Sequence, residues 1–230
     1  MGATVTTSEV PMSAITLMSL QIGKPRTLGD PNAIDPNDRE WTSSIYKDPV
    51  EPPVWLWSLH LDGDGQADLE NHGGEHMAVN AYPAAHYPGW RTELGLTDFP
   101  HGAFGENFTI GGQDETTACI GDVYRIGAVA EVEISQPRQP CWKLARRWRI
   151  KDLAARVQRT GRTGWYYRVR TEGYVVAGAV MELLARPFPQ WTIAVVNEVL
   201  NDKTDISRAH ALAECPALTP GWRDQFRRRA

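Results

Sequence analysis

Glu131-Val132-Glu133-Ile134-Ser135-Gln136-Pro137-Arg138-Gln139-Pro140-Cys141-Trp142-Lys143-Leu144 runs from an alternating stretch into a segment with two prolines. Ala130, Val132 and Ile134 share one face and Glu131 and Glu133 the other, the period of a half-exposed strand. Proline fixes φ and disfavours helix at itself and at the residue before it, so the stretch through Leu144 is expected to be stiff and non-helical. That stiffness holds Cys141 at one place with Arg138 and Lys143 close in sequence. Neighbouring cations favour the thiolate, the form that attacks electrophiles or binds a soft metal. The alternative is a buried, inert cysteine.

Outward from this segment the chain reads as short strands. Residues 15–22, 41–46, 54–61, 119–126 and 128–135 carry strand character, broken by turn-rich runs such as Asp62-Gly63-Asp64-Gly65. Trp165 to Thr171 and Tyr174 to Val176 read as a hairpin around Glu172-Gly173, and Val180 to Ala185 as a last strand. Tyr87, Trp90 and Leu94 mark a short helix after Pro83. Ile150, Leu153, Ala154 and Val157 mark another that Gly161 ends. After Arg186-Pro187-Phe188-Pro189 the pattern turns helical. Ile193, Val196, Val199 and Leu200 form one stripe, Asp205 caps a second helix, and Thr219-Pro220 opens a third. Three helices in about 40 residues are too few to stand alone and must dock. The expectation is a mainly β fold, a barrel or sandwich, with a helical appendix.

The 230 residues allow one full core. A net charge of −4 gives no footprint for a nucleic-acid polymer. No apolar run reaches the roughly 20 residues of a membrane span, so no membrane partner is expected. Residues 1 to 11 read as a polar tail with no secretory signal. The three cysteines, Cys119, Cys141 and Cys215, form no Cys-x-x-Cys pair, and a reducing cytoplasm suits them.

Other segments could carry chemistry. His72-Gly73-Gly74 has the backbone freedom of an anion nest, or of an ordinary tight turn. Phe104-Gly105-Glu106-Asn107 offers an asparagine amide suited to a heterocycle edge, or a turn held by it. Arg168 lies on a strand with Tyr166 and Arg170, as a ligand-binding or a solvated charge. Lys47 adds a cation beside a stiffened turn. Neither a Walker loop, a Gly-x-Gly-x-x-Gly fingerprint nor a Gly-x-Ser-x-Gly elbow occurs.

In order along the chain, these pieces resemble the MOSC-domain proteins and, within them, the YiiM-like group with a C-terminal three-helix unit. The matching stretches are Ser44 to Val50, Gly63 to Asp68, His72-Gly73-Gly74, Tyr82 to Tyr87, Phe104 to Asn107, Gly121-Asp122, Ser135 to Leu144 and Thr160 to Val169. The resemblance implies a MOSC-type β-barrel over 12–187 and a three-helix domain over 188–230. It implies a pterin-based molybdenum cofactor (molybdopterin with Mo), with Cys141 as the catalytic residue and molybdenum ligand. His72, Gly73, Gly74, Asn107 and Arg138 would enclose the pterin and its phosphate, with Lys47, Lys143 and Arg168 as further cations of the set.

Family members usually carry Lys or Arg where this chain has Met77, so that binding is weaker here or His76 substitutes. The implied function is reduction of N-hydroxylated compounds, such as hydroxylaminopurine bases, to amines. Glu106 or His72 would supply protons and a separate electron-donating reductase the electrons. A homodimer is a further expectation. The alternative is a non-catalytic carrier of the cofactor or of a Cys141 persulfide.

Overall fold

In a computed structural model, residues 14–68 and 72–229 are described. The polar tail expected over 1–11 lies outside them. The first half contains β1 (Thr16–Ile22), β2 (Arg26–Leu28), β3 (Trp41–Ser43), β4 (Asp48–Pro49), β5 (Val54–Leu56), β6 (Val79–Pro83), α1 (Tyr87–Leu94) and β7 (Phe108–Gly111). Then follow β8 (Val123–Ile126), β9 (Ala130–Pro137), α2 (Trp142–Trp148), α3 (Leu153–Thr160), β10 (Trp165–Thr171), β11 (Gly173–Val175) and β12 (Met181–Ala185). The chain ends in α4 (Ile193–Asn201), α5 (Ile206–Ala213) and α6 (Pro220–Arg227). No helix among the described residues is long and apolar enough to cross a membrane.

Eight strands pair in the order β12-β8-β9-β10-β6-β7-β1-β4, all antiparallel except β6 with β7. The sheet curls on itself. Met181 N donates to Ile15 O at 2.8 Å, and Thr16 bridges Val180, so the start of β1 meets the approach to β12. Curling lets the inward rows of β6 to β10 enclose Val79, Ala81, Phe108, Val132, Ile134 and Tyr167, all fully buried. The expected fold class holds: a curled, barrel-like sheet followed by C-terminal helices.

Three local expectations need correction. Residues 165–176 do not form a hairpin; β11 leaves the main sheet and pairs with β5. Glu133 is not on a solvated face. It is 5% exposed because Arg168 and Arg170 reach its two carboxylate oxygens, at 3.0 and 2.6 Å. The non-helical stretch also ends earlier than expected, since α2 begins at Trp142. The two prolines govern Gln136 to Pro140, and neither blocks the helix that follows.

The appendix packs against the back of β9 and β10. Arg168 Nη2 donates to Ala217 O at 2.8 Å, and Thr219 Oγ1 to Gln136 Oε1 at 2.7 Å. The Thr219 hydroxyl therefore docks the appendix, and it makes no hydrogen bond within the cap it was expected to provide. Asp205 does cap α5, accepting from Arg208 N at 3.0 Å. Ile193, Val196, Val199 and Leu200 are buried as their spacing predicts.

Candidate functional site

A second core, separate from the barrel interior, supports one mouth of the sheet. Tyr82 stacks on Phe104 with ring centroids 4.1 Å apart, and Tyr87, Trp90 and Phe99 close around them. Their polar ends are satisfied: Trp90 Nε1 donates to Tyr82 Oη at 2.7 Å, and Tyr82 Oη donates to Arg162 O at 2.9 Å. This aromatic box fixes the loop 102–107. Gly102 has φ 85° and lies so close to Lys47 O that a Cβ would meet it at 2.8 Å, so the turn requires glycine.

Glu106, one of the two proton-donor candidates, belongs to this support. It is fully buried and accepts from Tyr87 Oη, Gly102 N (2.7 Å), Phe104 N (3.1 Å) and Thr109 Oγ1 (3.1 Å). Burial raises its pKa while the donors act against the rise. It does not line the cleft described next, and its place in the fold is that of a loop staple.

Above the box lies an open cleft walled by Ser43 to Ile45, Lys47, Asp64 to Asp68, His72, Met77, Asn80, Asn107, Arg138, Cys141, Lys143 and Tyr166. The segment after β9 delivers the reactive residues. The Ser135 hydroxyl on β9 lies 2.6 Å from His76 O and 3.0 Å from Tyr166 O and shares its one proton between them, and Arg138 N donates to Gly164 O at 3.1 Å. Arg138 is 5% exposed, and its Nη2 donates to Phe104 O at 2.7 Å. Three residues on, Cys141 forms the N-cap of α2 in extended conformation and lines the cleft.

Cys141 is a perturbed thiol. Burial raises its pKa, but the hydrogen bond from His72, the charge of Arg138 and the Lys143 backbone N–H outweigh burial and bring it down to about 7. Cys119 and Cys215 are buried, and burial pushes both thiols up. Those two have the burial of an inert cysteine, whereas Cys141 is only partly buried.

The structure gathers Lys47, His72, Asn107, Arg138, Cys141 and Lys143 around one cleft. Two of these are already engaged. Lys47 forms a buried ion pair with Asp64, the side chains being 7% and 1% exposed. Asn107 gives its amide N–H groups to Asp64 Oδ2 (2.9 Å) and Gln21 O (3.2 Å), while its Oδ1 accepts from Asn80 N (3.2 Å). Gly73 and Gly74 do not line the cleft. Arg168 does not line the cleft either, because Glu133 and the appendix hold it further along β10. Met77 does line the cleft, so the position where a cation was expected faces it.

Sequence reasoning missed Ser44, Asp64 and Asn80. Ser44 and Asp64 sit inside the stretches that carried the resemblance, but nothing in their own chemistry marked them. Asn80 lies on β6, a strand that the sequence reading did not identify.

Whether these residues suit a pterin can be judged from polar atoms left without partners. Buried side chains normally satisfy their hydrogen-bonding groups. Arg138 Nη1, Asn80 Oδ1 and Ser44 Oγ are each shielded from solvent without a partner, and all three residues line the cleft. A pterin's ring edge has donors and acceptors for such groups, its phosphate suits Arg138, and a soft metal suits the Cys141 thiolate. The residues fit the group.

Residues 68–182 match the family model of the MOSC domain, and 191–229 match that of the YiiM-like, 3-alpha helix domain. The chain is similar to YflK of Bacillus subtilis (strain 168), with 40% identity over 211 residues that cover 91% of this chain and 92% of YflK. It is 38% identical over 181 residues to a protein of Gibberella moniliformis named "Reductase", covering 78% of this chain and 32% of that longer protein. The crystal structure of YiiM from Geobacillus stearothermophilus superposes with a TM-score of 0.77 at 35% identity, covering 94% of this chain and 98% of the other. On these grounds the chain belongs to the MOSC-domain family, in its YiiM-like group with a C-terminal three-helix unit.

Proposed function

We propose that the protein binds a pterin-based molybdenum cofactor in this cleft and reduces N-hydroxylated compounds, hydroxylaminopurine-type bases among them, to the amines. The observation that carries the reading is Cys141: a thiol with a pKa of about 7 on the wall of a cleft that also holds three unpartnered polar groups. The relative named "Reductase" supports the reaction class. When bound, the cofactor supplies the two-electron redox chemistry that side chains lack. Overall, R–NH–OH takes up two electrons and two protons to give R–NH₂ and water.

The chain's own residues bind and position. Cys141 offers its thiolate as the molybdenum ligand, and His72 and Arg138 lower its pKa to about 7, so that a large share of the sulfur is ionised at neutral pH. His72 is also the titratable group at the sulfur that can hand a proton to the departing hydroxyl, which Glu106 cannot do from inside the support. We also place the electron supply in a separate reductase and the protein in the cytoplasm.

The test is turnover. Cofactor-loaded protein supplied with a reduced viologen dye should convert a hydroxylaminopurine to the aminopurine, and Cys141→Ser should lose molybdenum and activity together. Loaded protein that does not reduce such substrates, yet passes cofactor or persulfide sulfur to an acceptor, would overturn this reading in favour of a carrier.

A further inference from the structure

Asn107 is the asparagine whose sequence context suggests a heterocycle edge, but its amide is already engaged by protein. Asn80, directly beside it, is in the opposite condition. The two are clamped together: Asn107 N donates to Asn80 O at 2.8 Å, and Asn80 N donates to Asn107 Oδ1 at 3.2 Å. Asn80 is 8% exposed and lines the cleft. Its Nδ2 donates to Gly105 O at 3.1 Å, which fixes the amide's orientation, since a flipped amide would set oxygen against oxygen. With that orientation set, Oδ1 is the atom left without a partner.

Ser44 Oγ is the second such atom on the cleft wall, and Arg138 Nη1 the third. An unpartnered buried acceptor on a rigid strand is costly unless something else supplies its donor. A ligand with ring N–H groups would do so.

We infer that Asn80, and not Asn107, reads the heterocycle edge of the bound pterin. Asn80 Oδ1 accepts a ring N–H, Ser44 Oγ completes the polar edge, and Asn107 serves as the positioning residue that holds Asn80 and Asp64. This rests on the proposed pterin binding and adds the recognising residues to it.

The experiment compares wild type, Asn80→Ala, Ser44→Ala and Asn107→Ala. Each is purified with its cofactor and again after cofactor removal. The readouts are pterin released over time, measured by fluorescence after oxidation, and melting temperature with and without cofactor. Asn80→Ala should release the pterin about tenfold faster, the scale of one hydrogen bond, and lose part of the cofactor-dependent gain in melting temperature. Ser44→Ala breaks no protein hydrogen bond, so it should fold normally and release the pterin several-fold faster. Asn107→Ala should lower both melting temperatures together. If Asn80→Ala and Ser44→Ala retain pterin as the wild type does, the assignment is wrong while pterin binding stands. If the wild type itself gains no stability from the cofactor and retains none, both readings fall.

Discussion

Asn107 Nδ2 donates to Asp64 Oδ2 at 2.9 Å, and the other oxygen of Asp64 holds the Lys47 ammonium in a nearly sealed ion pair. Gly23 N also donates to that oxygen, at 2.7 Å. This cluster ties β1, the loop after β5 and the strand β7 together under one wall of the cleft. Lys47 is therefore a neutralised charge, and burial lowers its pKa while Asp64 opposes the change. Removing one partner of a buried pair leaves the other uncompensated, which typically costs about 3–5 kcal/mol. Asp64→Ala should lose stability on that scale in urea unfolding, and Lys47→Met combined with Asp64→Leu should recover much of it. A double variant no more stable than Asp64→Ala alone would show that Asp64 acts through Asn107 and Gly23 and not through Lys47.

The thiol of Cys141 gives a pH signature. With a pKa of about 7, it should be alkylated by iodoacetamide in the cofactor-free protein along a curve with its midpoint near pH 7. An ordinary thiol has its midpoint roughly 1.5 units higher. His72→Ala removes the strongest of the influences that lower the pKa and leaves burial in place, so the midpoint should move up. The folded value lies below the unfolded one. The thiolate's stabilisation is therefore fully present above the unfolded pKa, and it is lost as pH falls through about 7. A His72→Ala curve superposing on the wild type would remove His72 from the thiolate's support.

The cleft was legible where its residues are contiguous and chemically loud. Cys141, directly after two prolines and between two cations, could be read directly, and the structure brings Arg138, Lys143 and Cys141 to one wall. Residues joined only through the sheet could not be read so. Asn80 and Asn107 meet because β6 and β7 are parallel neighbours, a pairing that no local pattern announces. Arg168 shows the converse. A basic residue on an aromatic-rich strand looked like a ligand, but although Arg168 shares its face of β10 with the cleft residue Tyr166, Glu133 and the appendix hold it further along the strand, away from the cleft. The start of α2 was missed because the prolines dominate the reading of their neighbourhood, although neither falls inside the helix.

Arg168 tests the seam between sheet and appendix. It bridges the buried Glu133 to Ala217 O, so Arg168→Met removes a charge-assisted bond and leaves Glu133 with Arg170 alone. We expect about 1–3 kcal/mol lost in unfolding, with cofactor retention unchanged. Deleting residues 189–230 should go further and cause aggregation, because Val196, Val199, Leu212 and Phe226 belong to the same apolar cluster as the barrel core. Loss of cofactor from a stable, monomeric Arg168→Met protein would return Arg168 to the binding set.

Met77 sits where the resemblance implied a cation, and it lines the cleft. It ends the short turn 75–77 that leads into β6, and it is neither fully buried nor exposed, so a lysine stem can lie along the wall with its ammonium in the opening. His76, the substitute considered from sequence, does not line the cleft; burial and the nearby Arg168 both lower its pKa, which makes it a poor phosphate ligand. Met77→Lys should therefore strengthen retention of the pterin. A charge-assisted hydrogen bond contributes about 1.5–3 kcal/mol, or roughly tenfold or more in affinity. The gain should shrink as salt rises, because the cleft is open to solvent. Slower pterin release from the lysine variant, with a melting temperature near that of the wild type, is the expected pair of results. Unchanged release with a lower melting temperature would mean that the methionine packs against the wall in a way a lysine cannot replace, and that Arg138 alone supplies the charge this chain needs.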